Sequence, residues 1–273
     1  MTMTKISLNL IVSVLSLAYL SACGSEMIDH IQKMDSAEKK FNEAQSREVV
    51  AFMSLDVMFP NASVRALAKA AGDGDVKKVE QLVNGGVSVN SRGAQGATPL
   101  FWAMHNLDGF KKLLELGADP NVVYADGNSV MKAAVVMKDR GILKAALEHG
   151  GNPNLVSSDS FGYTPIFDAM SAGMDVVDML LSAGADINAK GKFGSTPVLV
   201  AAGRGDYEMV YRLLERGADY RLKDAHGVDL AAAVSKNVGR LRSGTKWAKW
   251  QEKVIEWLQA KGVEIPASPQ RRQ

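Results

Sequence analysis

Thiols are almost absent from this chain: Cys23 is the only cysteine among 273 residues. One thiol excludes an intrachain disulfide, a Cys-x-x-Cys redox pair and a cysteine-rich metal site, so the fold must be held by packing alone. Histidine is nearly as scarce. His30, His105, His149 and His226 are scattered, and none stands four residues from another or beside a carboxylate pair in a metal-ligand pattern. An excess of charge of one sign is missing too. With 32 Lys+Arg against 30 Asp+Glu there is neither the basic field that nucleic acid demands nor the acidic surplus of a disordered tail. There is no Gly-x-Ser-x-Gly elbow, phosphate-binding loop or Gly-x-Gly-x-x-Gly fingerprint, and Gly72-Asp73-Gly74 reads as a helix-to-helix turn. No catalytic residue, metal ligand or cofactor is expected, and the chain reads as a binder rather than an enzyme. Aromatics make up only 7%, so each one in an unexpected place carries information.

Long apolar runs are also few. Residues 8–20, preceded by Lys5, are too short to span a bilayer comfortably and have the shape of a secretory signal segment. The run ends in Leu20-Ser21-Ala22-Cys23, which resembles the bacterial lipobox. That resemblance implies cleavage before Cys23, lipidation of its thiol and, with Gly24 following, sorting to the outer membrane facing the periplasm. Several acyl chains together make a durable anchor. Beyond it, Met27, Ile31, Met34, Ala37, Phe41 and Ala44 form a narrow helical stripe among charged residues. It reads as a stalk; a partner-binding helix is the alternative.

The remainder is repetitive. Leu116-Gly117-Ala118-Asp119-Pro120-Asn121, Ala183-Gly184-Ala185-Asp186-Ile187-Asn188 and Arg216-Gly217-Ala218-Asp219 are copies of one phrase, with weaker copies at Gly150 and Gly85. Gly117, Gly150, Gly184 and Gly217 lie 33, 34 and 33 residues apart. A second phrase recurs in register: Thr98-Pro99-Leu100, Thr164-Pro165-Ile166 and Thr196-Pro197-Val198, with Ser129-Val130-Met131 in the same place. Thr or Ser caps a helix whose first position tolerates proline, and the glycine ends the second helix in a left-handed residue. Small residues after the first phrase let repeats approach closely, and the pairs Leu113-Leu114, Leu180-Leu181 and Leu213-Leu214 supply the core. No single repeat can bury its apolar face, so stacked neighbours and sealed ends are required.

These phrases resemble the ankyrin repeat over residues 64–262. The resemblance implies an all-α ankyrin-repeat solenoid with β-hairpin tips, of five to six repeats including atypical caps at both ends. The expected organisation is a signal peptide at 1–22, a lipid-anchored stalk at 23–62, the repeat domain at 63–262 and a tail at 263–273. Two departures stand out. The histidine usual after Thr-Pro-Leu is replaced by Phe101, Lys132, Phe167 and Leu199, which removes the network that ties hairpin to helix, and the units at Thr98 and Thr164 are short. Trp247, Trp250, Val254, Trp257 and Leu258 share one face of the closing helix. They read as a cap, with a membrane-surface helix as the alternative.

Ankyrin proteins commonly bind through hairpin tips and exposed first-helix positions. Carried over by register, the tips are Ala94 and Gln95, Ala125 and Asp126, Ser160 and Phe161, Lys192 and Phe193, and Ala225 and His226. Phe161 and Phe193 thus fall at solvent-facing tips, with Tyr163 beside one, while Trp102, Ala133, Asp168 and Val200 occupy the exposed helix position. Exposed aromatics on a rigid scaffold suit binding hot spots, although rings folded back onto the stack would fit the pattern as well. The expected contact set is Trp102, Tyr124, Phe161, Tyr163, Asp168, Lys192, Phe193 and Arg204. The whole pattern, with its stretch from Gly109 to Asn121, is similar to immunity lipoproteins encoded beside type VI secretion phospholipase effectors. That similarity implies a protein partner, a toxic lipase, and no nucleic acid. A general periplasmic scaffold and an envelope hydrolase are the other readings.

Overall fold

A computed structural model describes residues 53–158, 161–236, 238 and 244–266. The expected signal peptide, Cys23 and the stripe from Met27 to Ala44 lie outside these residues, as does Ser160. Contacts divide the chain into Met1–Val49 and Val50–Gln273, and the second unit carries the repeats.

A short helix α1 (Leu55–Met58) precedes a succession of antiparallel pairs. These are α2 (Ala62–Asp73) with α3 (Val76–Asn84), α4 (Pro99–Trp102) with α5 (Leu107–Glu115), and α6 (Val130–Val136) with α7 (Arg140–Glu148). Next come α8 (Pro165–Ala172) with α9 (Met174–Ser182) and α10 (Pro197–Arg204) with α11 (Tyr207–Glu215). The last pair is α12 (Leu230–Ser235) with the longer α13 (Lys246–Ala260). First helices stack on first helices (α2 on α4, α6 on α8, α8 on α10, α10 on α12) and second helices form a parallel row (α3 on α5, α5 on α7, α11 on α13). The core runs along the seam: Leu113, Leu143, Leu180 and Leu213 are wholly buried, together with Ala103, Ala134, Ala169 and Ala202.

The recurring Asn of the glycine phrase bonds one repeat to the next. The Asn90 side chain donates to the Gly117 carbonyl at 3.0 Å and accepts from the Asp119 amide at 2.8 Å. Asn121 does the same with Gly150 and Asn152, and Asn154 with Gly184 and Asp186. Asn188 accepts from the Asp219 amide, and the series stops where Arg221 takes the place of the asparagine. Each rung satisfies a backbone donor or acceptor that a loop would otherwise leave open.

Ahead of residue 63, Met58 and Phe59 are buried against Val64, Ala68 and Ala97. Three expectations need correction. Among the described residues the loops form no strands, only tight turns and one isolated bridge, Val123 with Ser129. Thr98 and Ser129 cap their helices through their side chains, but Thr164 and Thr196 do not. At those two positions the proline at the first helical residue, whose φ is already helical, starts the helix. In the closing helix Val254 and Leu258 are buried and Trp250 and Trp257 pack on the core, while Trp247 is 50% exposed and seals nothing.

Candidate functional site: the tip edge and the first-helix face

Each loop between repeats turns at a glycine in the left-handed region: Gly96, Gly127, Gly162, Gly194 and Gly227, with φ of 78, 80, 60, 73 and 76°. The tips are bonded side by side. Ala125 N–H donates to the Gln95 carbonyl at 3.0 Å, Lys192 N–H to Phe161 at 2.7 Å, and Ala225 N–H to Phe193 at 2.9 Å. The result is a rigid backbone edge on which side chains vary.

Phe161 and Phe193 stand on that edge 52% and 54% exposed. Phe161 is braced from beneath: its ring stacks on Tyr163 (5.3 Å between centroids, 22°), which lies flat on the buried Phe167 at 4.0 Å and 6°. Gly191 of the next loop makes room, since a Cβ there would come within 2.5 Å of the Tyr163 ring. Phe167 holds the position where the usual histidine is missing, so a stack of rings ties loop to helix in its place. Phe101, at the same position two repeats earlier, does likewise with Tyr124, edge to face at 5.1 Å. The tie expected to be lost is therefore rebuilt from aromatics.

Tyr124 is consequently turned into the stack instead of standing at the tips. It is 3% exposed, and burial pushes its phenol well above the ordinary value. Lys192 is exposed beside Phe161, and Tyr163 is half-buried as a support. The other expected residues lie elsewhere. Trp102 sits over Gly72 of α2, where a Cβ would meet its ring at 2.8 Å. It borders a groove of about 290 Å³ with Met58, Met104, His105, Val136 and Met137. Asp168 is partly buried on α8. Arg204 is exposed on a cleft of about 550 Å³ shared with Met170, Asp206, Met209 and Trp247. The structure thus brings Phe161, Tyr163, Lys192 and Phe193 together and leaves Trp102, Asp168 and Arg204 on the first-helix face.

Sequence reasoning missed Val136, 62% exposed on that groove, and placed Trp247 in the cap rather than at the surface. Val136 falls seven residues after Ser129, where an apolar residue on an outward position was the available signal. Among the described residues no group of three or more His, Cys, Asp or Glu could hold a metal ion.

Stacked helix pairs joined by cross-bonded loops define a repeat solenoid, which presents side chains along its tips and helix faces. The fold is that of an ankyrin-repeat solenoid, and the family model for ankyrin repeats (three copies) matches residues 107–191 and 130–224. Ankyrin repeats bind protein partners, and the fold is typically an interaction scaffold. Protein PhlB of Serratia liquefaciens is 33% identical over 147 residues, 53% of this chain and 64% of that protein. A putative ankyrin repeat-containing protein of Treponema pallidum is 32% identical over 124 residues, 45% of this chain and 41% of its own length. The chain thus spans less than two thirds of these relatives. A chain from the complex of the Bdellovibrio bacteriovorus predatory endopeptidase Bd0816 with immunity protein Bd3460 is structurally similar at a TM-score of 0.56. It shows 25% identity, with 69% of this chain and 97% of that one covered. The ankyrin repeat protein EF0377 gives a TM-score of 0.58 at 27% identity, covering 71% and 98%.

Proposed function

We propose that this protein is a lipid-anchored, periplasm-facing immunity protein that binds and neutralises a toxic phospholipase delivered by type VI secretion. The observation that carries the binding half is the pair of half-exposed phenylalanines held on bonded tips. Anchors fixed before contact lose little entropy on binding. The similarity to a chain from a complex that contains an immunity protein supports the inhibitory half. The lipobox-like Leu20-Ser21-Ala22-Cys23 supports the location. An inhibitor tethered to the membrane under attack is held at high effective concentration where the enzyme works.

The test is protection. Cells exporting to the periplasm a phospholipase effector that binds this protein should lyse without the protein and grow with it. Cys23→Ser should lose label from radioactive palmitate, because no second thiol can take the acyl chain. Unchanged killing in the presence of correctly exported protein would refute the immunity role, and persistent label would refute the anchor.

A further inference from the structure

Resting on the protein-binding reading above, we propose that the late tips receive an acidic segment of the partner that also carries apolar side chains, with Lys190, Lys192 and Lys223 reading the carboxylates and Phe161 and Phe193 taking the apolar groups.

The charge arrangement of the last two tip loops carries this. Their described carboxylates are turned to internal work. Asp186 accepts from the Asn188 amide, Asp219 from the amide and guanidinium of Arg221, and Asp229 from the Ala232 amide. Asp224 accepts from the His226 and Val228 amides, which hold its carboxyl below the ordinary value against the opposing effect of burial. The lysines of the same loops are treated differently. Lys190 and Lys192 are exposed and have no ion pair among the described residues, while Lys223, also exposed, makes a long ion pair with Asp229 at 3.9 Å. The carboxylates keep their charge but are held toward the amides of their own loops, while Lys190 and Lys192 stand free of such ties at the surface.

Geometry joins these charges to the rings. Lys192 donates its amide to the Phe161 carbonyl, so the cation and the ring leave adjacent rungs; Phe193 follows Lys192 directly and is bonded in turn to Ala225, two residues after Lys223. Along the bonded rungs the chain thus presents Phe161, then Lys192 and Phe193, then the loop that carries Lys223. Opposite charges at such a rim set partner choice and association rate, and their effect falls with salt.

A phage-displayed library of random twelve-residue peptides, panned on the full chain in detergent micelles, tests this without the natural toxin. The expected winners are rich in Asp and Glu interspersed with Phe, Leu or Tyr and are released by about 0.5 M NaCl. Their affinity should fall about tenfold or more in Lys192→Glu/Lys223→Glu and in Phe161→Ala/Phe193→Ala, and hold in Lys192→Arg/Lys223→Arg. Thermal unfolding of each variant should match the parent. Winners without an acidic excess, equal recovery on the charge-reversed variant, or no winners at all would overturn the proposal. So would tip-dependent binding to phosphatidylglycerol vesicles instead of peptides. None of these results bears on protection from the lipase, which is measured separately.

Discussion

The early and late tips of this solenoid are built alike and equipped differently. Ala125 is bonded to Gln95 as Lys192 is to Phe161, with similar turns and similar glycines. Yet the early tips carry Ala94, Gln95, Ala125 and Asp126, and the late ones carry Phe161, Lys192 and Phe193. The Asp126 carboxylate is engaged by its own loop through the Asn128 amide. The backbone device is therefore generic. What distinguishes the late edge is the ring stack beneath Phe161 and the surface lysines.

The comparison breaks most completely if the stack under the late tips is loosened. Leu180→Ala empties a wholly buried site in α9 and should cost about 2–5 kcal/mol in chemical denaturation. A sharper cut separates two glycines of the same region. Gly191→Val must push the Tyr163 ring aside and should cost about 1–3 kcal/mol while weakening partner binding. Gly203→Ala, with open space around it in α10, should stabilise the protein by roughly 0.5–1 kcal/mol and leave binding alone. Thermal melts of both variants, with a binding assay, check the pair.

Capping offers a smaller contrast. Thr98→Val removes a side-chain bond to the Phe101 amide and should cost about 1 kcal/mol. Thr196→Val should cost nothing measurable, since that hydroxyl is buried without a partner among the described residues. Equal losses at the two sites in denaturant titration would show that proline does not start α10 by itself. The smallest effect lies on the far side of the repeats. The bidentate bond from Arg216 to Asp178 holds the Asp178 carboxyl below its ordinary value. A lowered carboxylate pKa adds stability above the unfolded value and loses it as pH falls through the folded one. Asp178→Asn should therefore narrow the stability gap to the parent below about pH 4, read from melts across pH.

Much of this was legible because the repeat phrases have backbone duties. Asn90, Asn121, Asn154 and Asn188 recur since each closes a rung between repeats, and the register they set placed Phe161 and Phe193 at the tips. Tyr124 was misplaced for a physical reason. A loop residue beside a tip can face either way, and only the distant Phe101, standing in for a histidine, decides that it faces inward. The caps at Thr164 and Thr196 were overread because the Thr-Pro phrase contains two helix starters and sequence does not show which one acts. Val136 escaped notice, and Trp247 was read as part of the cap, because exposure at such positions depends on where helices end.

The central claim is that the late tips grip the partner through rings the fold does not need. Calorimetric affinity of Phe161→Ala/Phe193→Ala for the co-purified protein partner, paired with its unfolding midpoint, tests this most directly. The account predicts an unchanged midpoint and binding weaker by about 1–4 kcal/mol. Parental affinity in a fully folded double variant would contradict it and move the grip to the first-helix face around Trp102 and Arg204.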